Sequence, residues 1–286
     1  MPGRAPVAVS VTLLAVAVGM GGAACGVPAA SGASGAAGPA TVYVGNCESG
    51  TVAVIRGDAL AAKPVKAGRC PDAIAITPNG TTAFVVAASG TVTAIRTATS
   101  TAGEPVSIGL VAGPIAITPD GKTAYAGDGS TVVPIHAATG TAGKPIKVAE
   151  IPSAVAITPD GTTAYVTSNG YAGTVTPIST AGNRPGKPIK VGRIPTAIAI
   201  TPDGTTAYVL DHGSHTVTPI STADNRPGKP ISTGQMPTAI AIAPDGTTVY
   251  VANADSGTVT PIRTATGTTE RSIKVGRGPA AIAIKP

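Results

Sequence analysis

The side chains of this chain best suited to chemistry stand in one short stretch, Asp211-His212-Gly213-Ser214-His215. One carboxylate and two imidazoles are the donor types of a divalent metal site. The same residues also make an ordinary exposed polar turn, and Gly213 leaves the stretch too free for a preformed ligand set. The metal reading is therefore the weaker one, and no cofactor is expected. His136, the remaining histidine, stands alone. Asp120, Asp160, Asp203 and Asp245 look at first like a set of acids, but each is the centre of a Pro-Asp-Gly triplet. Proline presets φ, aspartate bonds nearby backbone and glycine supplies positive φ, so these are turn residues. Haem, phosphate-loop, zinc-finger and nucleophile-elbow motifs are missing from the sequence.

The elements that must position these residues follow from a repeat. Pro78, Pro119, Pro159, Pro202, Pro244 and Pro286 close near-identical phrases at spacings of 41, 40, 43, 42 and 42 residues. A period near 42 is the size of one four-stranded propeller blade. In the unit from Pro195, Ala197–Ile200 alternates small and large apolar residues and reads as the first strand. Thr205–Val209 is the second and Thr216–Ile220 the third, with Lys229–Thr233 as a weak fourth. Tyr43, Phe84, Tyr125, Tyr165, Tyr208 and Tyr250 share one place in the second strand, and only Tyr171 falls elsewhere. A ring position repeated in this way is a packing element. No segment has helical spacing of apolar residues, so the fold class expected is all-β.

These phrases resemble the YVTN β-propeller repeat of bacterial and archaeal surface proteins. The resemblance is carried by segments such as Pro152–Val166 and Gly173–Ile178 and runs from Thr41 to Pro286. It implies the propeller scaffold and says little about activity. This chain departs from the pattern at Pro134, Pro177, Pro219 and Pro261, inside the third strand, where a missing ladder bond or a bulge is expected. Thr41–Val44 matches a second strand with no first strand before it, and Ala280–Ile284 is a first strand with nothing after it. The economical architecture for residues 41–286 is a six-bladed propeller of four-stranded antiparallel blades, closed by the C-terminal strand joining the N-terminal blade.

Residues 1–24 read as a secretory signal of the lipoprotein type. Gly21-Gly-Ala-Ala-Cys25 followed by Gly26 resembles a lipobox in which Cys25 carries the lipid, although Gly22 stands where that pattern prefers leucine. Ordinary cleavage and free secretion is the alternative. Residues 25–40, almost all Gly, Ala, Ser and Pro, form a flexible tether of roughly 20 Å reach. Cys47, after the second strand of the first unit, and Cys70, in the link to the next, fall on one face of an up-and-down array. A Cys47–Cys70 disulfide suits an oxidising compartment, the alternative being two free thiols.

The net charge of +6 is spread thinly. Lys63, Lys66, Lys144, Lys147, Lys187, Lys190, Lys229 and Lys274 fall on or beside fourth strands, where lysine blocks edge-to-edge pairing. No nucleic acid is expected as a partner, because no recognition helix or aromatic-basic interleaving occurs. A propeller binds through one face of the disc. Here that rim comprises Asn46, Arg69, Asp128, Glu150, Arg193, Asp211, Gln235, Asn253 and Arg277, with Ala87 and Leu110 interrupting the polar set. The function expected is a monomeric, non-catalytic scaffold on the outer face of the cell membrane, binding an envelope protein, peptide or glycan. A lactonase-like or other hydrolase with its site at the channel mouth, and a structural coat component, are the alternatives.

Overall fold

The computed structural model of the chain describes residues 41–56, 59–60, 62–109 and 113–284. The signal, the tether with Cys25, and Leu110 lie outside these residues. The described chain folds into six antiparallel sheets in sequence order: Thr41–Lys66, Pro71–Ser107, Ile115–Lys147, Pro152–Lys190, Pro195–Ser232 and Pro237–Lys274. Sheet five shows the plan. Its innermost strand Pro195–Ile200 pairs with Thr206–Asp211, which pairs with Thr216–Ser221, and the outer strand is split into Arg226–Pro227 and Ile231–Ser232. Threonine, valine and tyrosine fill the two central strands because β-branched and ring side chains suit a pleated, half-buried surface. The Pro-Asp-Gly turns form as the sequence predicts. Asp203 Oδ1 accepts hydrogen bonds from Thr201 Oγ1 (2.5 Å) and the Thr205 amide (3.0 Å), and these bonds hold its carboxyl below the usual carboxylate range.

Two irregularities repeat. In sheets two, four, five and six the first strand carries one extra residue after its proline, which is Asp72, Ser153, Thr196 or Thr238. Ser153 Oγ uses this position to donate to the Pro195 carbonyl of the next sheet (2.6 Å). The second irregularity is the missing ladder bond expected at the third-strand prolines, but it corrects the cause and the strand that bends. The third strands run unbroken through Pro134, Pro177, Pro219 and Pro261, and the extra residue sits in the outer strand opposite. Sheet two, with Ala94 in the proline's place, has the same break. Proline therefore does not cause the break. It occupies a position whose neighbour strand has already swung away, while its carbonyl still accepts from that strand, as Pro219 O does from the Gly228 amide (2.7 Å).

The core lies between sheets. Five apolar clusters join sheets one and two, two and three, three and four, four and five, and five and six. Tyrosine hydroxyls add bonds across these junctions: Tyr125 donates to Asn183 Oδ1 (2.6 Å) and Tyr165 to Asn225 Oδ1 (2.7 Å). Among the described residues no such cluster joins sheet six to sheet one. Val42 is 41% exposed, whereas its counterparts Ala83, Ala124, Ala164, Ala207 and Val249 are all 0%. At the other end, Ile273 and Val275 are each 52% exposed, although Ile231 and Val148 in the matching places are buried. Sheet one has no innermost strand, and 280–284 is assigned to none. Thr238 Oγ1 nevertheless donates to the Pro279 carbonyl (2.7 Å), the bond that Ser153 makes to Pro195, so this segment starts where a further first strand would begin.

Candidate functional site at the link face

Two kinds of loop meet on one face. Links run from each outer strand to the next innermost strand, and turns join second to third strands. Backbone bonds stitch the two together: Asn169 N–H to Ile151 O (2.8 Å), His212 N–H to Ile194 O (3.1 Å) and Ala254 N–H to Met236 O (2.8 Å). A face built this way holds its loops in one arrangement. Cys47 and Cys70 are joined by a disulfide on the same face, tying the turn of sheet one to the link into sheet two. An open depression beside it is lined in part by Glu48, Lys66 and Arg69.

The sequence-predicted rim divides into two layers. Arg69, Glu150, Arg193, Gln235 and Arg277 are exposed, Asn46 and Asp128 are half-buried, and Asp211 and Asn253 are buried. Asp211 and Asn253 end their second strands directly beneath the links. A Cβ on Gly192 would lie 2.5 Å from the Asp211 Cβ, and one on Gly234 2.8 Å from that of Asn253, so the link must be glycine at both places. Asn253 is fully used there. Its Oδ1 accepts from the Gly234 amide (3.0 Å), and its Nδ2 donates to Thr260 Oγ1 (3.0 Å) and Thr258 Oγ1 (3.2 Å). Asp211 fits the same slot less well. Its Oδ2 accepts from Thr218 Oγ1 (2.5 Å) and Thr216 Oγ1 (3.1 Å), but Oδ1 is buried without a hydrogen-bond partner. Burial pushes its carboxyl up to about 6, against the pull of the two threonine hydroxyls and the Gly192 amide.

The Asp211, His212 and His215 side chains do not converge on a common point. His212 Nδ1 donates to the Pro237 carbonyl (2.8 Å), which fixes the proton on that nitrogen. His215 Nδ1 accepts from the Met236 amide (3.2 Å). Each imidazole thus holds a different part of the link into sheet six, and Asp211 lies under the link into sheet five. Among the described residues no group of three His, Cys, Asp or Glu side chains is placed to hold a metal ion. The sequence puts the three residues side by side, but the 3₁₀ turn His212–Ser214 and the left-handed His215 (φ 57°) aim them apart.

Sequence reasoning set aside the residue that stands out most on this face. Tyr171 is 76% exposed, and the Arg193 guanidinium lies over its ring at 4.3 Å from the centroid. Its turn, Asn169–Gly173, puts five residues between the second and third strands of sheet four, against two to four in the other sheets. The signal was present in the sequence as the one tyrosine outside the strand-two position.

A family model described as Lactonase, 7-bladed beta-propeller, matches residues 160–285. Two solved structures show the same fold. Hydrazine synthase of Kuenenia stuttgartiensis is 19% identical with a TM-score of 0.69, over 84% of this chain and 85% of that one. A functionally unknown protein from Desulfotomaculum acetoxidans DSM 771 is 20% identical with a TM-score of 0.69, over 82% of this chain and 79% of that one. No curated protein sequence matches the chain. The repeated antiparallel four-stranded sheets are those of a β-propeller, with six sheets among the described residues where the family model names seven blades.

Proposed function

We propose that this chain is a YVTN-type propeller, exported and anchored through Cys25, that binds an envelope protein, peptide or glycan on its link face without catalysing a reaction. The observation that carries this reading is the use made of the polar side chains. His212, His215 and Asn253 spend their hydrogen bonds holding the links in place, and Asp211 is buried beneath a link with its Oδ2 bonded to Thr218 and Thr216. Arg193, Gln235 and Arg277 are left displayed above them. Loops already fixed lose little further entropy when a partner docks, which is how a rigid face gains affinity.

In this reading the ring has six blades, and Ala280–Ile284 completes blade one by pairing with Thr41–Asn46. The missing innermost strand of that blade, the exposed Val42, Ile273 and Val275 and the Thr238–Pro279 bond all support it. A second reading, a lactonase-like hydrolase, is favoured by the family match over residues 160–285. Immobilised protein presented with envelope extract, peptide and glycan arrays should retain a defined ligand at micromolar concentration. The same preparation should leave a panel of lactones and esters unchanged. Turnover that depends on link-face residues would replace the binding reading with the hydrolase.

A further inference from the structure

The links and turns of blades four to six carry large apolar side chains in the open. Ile151 is 59% exposed in the link into blade four, Tyr171 stands on the longest turn, and Met236 is 37% exposed in the link into blade six. These are neighbours in the backbone network. The Asn169 amide bonds Ile151 O, the Ile194 amide bonds Gly170 O (3.3 Å), and the Met236 amide bonds His215 on the turn that is itself tied to Ile194. Arg193 stacks on Tyr171 and takes part in none of the ion pairs among the described residues. The Glu150 carboxylate lies against Gly170, next to Tyr171 in the chain, and makes no ion pair with Arg193. One open ring, two aliphatic side chains and an unpaired guanidinium held by a ring form the combination that dominates protein-recognition hot spots. Large apolar side chains displayed on adjoining loops of an otherwise polar face are candidates for an interaction site.

We infer that this patch is the docking site for an extended segment of a partner protein that presents an apolar side chain next to a carboxylate. The apolar side chain lies on Tyr171 between Ile151 and Met236, and the carboxylate pairs with Arg193. Stacking holds the guanidinium in plane, so it meets a carboxylate with little loss of freedom. The inference rests on the link face being the binding face and specifies where on it, and for what chemistry.

The chain has no tryptophan, so a tryptophan in a probe peptide reports binding directly. Acetyl-Leu-Trp-Glu-Asp-amide is titrated with the full chain and followed by emission and anisotropy, with acetyl-Leu-Trp-Gln-Asn-amide as the neutral control. The acidic peptide should bind saturably and at least tenfold more tightly than the neutral one. R193Q should abolish that difference, Y171A should weaken both peptides, and Y171F should restore them. Circular dichroism melts check that each variant stays folded. Equal binding of the two peptides, no saturable binding of either, or indifference to Y171A and R193Q overturns the inference. Loss of binding in R69A or Q235A with Y171A and R193Q inert would place the site elsewhere on the link face. Binding that survives all four changes would overturn the link face itself.

Discussion

Asp211 shows what a single buried atom costs. It occupies the slot that Asn253 fills with every polar atom satisfied, yet its Oδ1 has no partner and its carboxyl is raised to about 6. A carboxyl whose pKa is higher folded than unfolded favours the folded state below its unfolded value near 4, and this contribution is lost as pH rises to about 6. Asp211→Asn should therefore match the native chain near pH 4 and become more stable than it by about 1–3 kcal/mol above pH 7, by thermal melts across pH. A difference independent of pH would show that the carboxylate is solvated after all. The sequence marked Asp211 as a polar turn residue but could not show it buried, since burial depends on the link folded over it.

Individual elements are joined by bonds that no local pattern reveals. The strand-two tyrosines were legible as packing residues, but their hydroxyls reach turns of the next blade, 58 and 60 residues away in sequence for Tyr125 and Tyr165. Tyr165→Phe keeps the ring and removes the hydroxyl's bond to Asn225 and its longer contact with the Thr222 carbonyl, so a loss of about 0.5–1.5 kcal/mol in denaturant unfolding is expected. No change would mean that water replaces the contact at no cost. The Cys47–Cys70 disulfide closes a loop with a sequence separation of 23. Replacing both cysteines by serine should cost about 3 kcal/mol in the chain-entropy account, with the link face otherwise intact. Third-strand prolines teach the opposite lesson. The sequence suggested a missing ladder bond or a bulge at them; the bond is missing, but because the outer strand departs there, even opposite Ala94.

At the scale of the whole molecule the seam between blades six and one decides whether the array closes. Extending the register of Ile198 on Val209 to the ends of the chain places Ile282 opposite Val44. A protein carrying I282C and V44C should form an intramolecular cross-link under mild oxidation and melt at a higher temperature. A cross-linked dimer would instead indicate exchange of the last strand between molecules, and no cross-link would indicate an open array.

The repeat, the turn chemistry and the all-β class were determined by the sequence alone, because period, proline-glycine turns and alternating apolar residues act over a few neighbouring positions. Which polar side chains are spent beneath the links and which face outward was decided only by tertiary structure. Asp211 and Arg193 are both polar residues in loops of one face. One is covered and the other free because segments about 20 residues apart in the chain cross above the first and not above the second, and sequence spacing contains no record of that crossing.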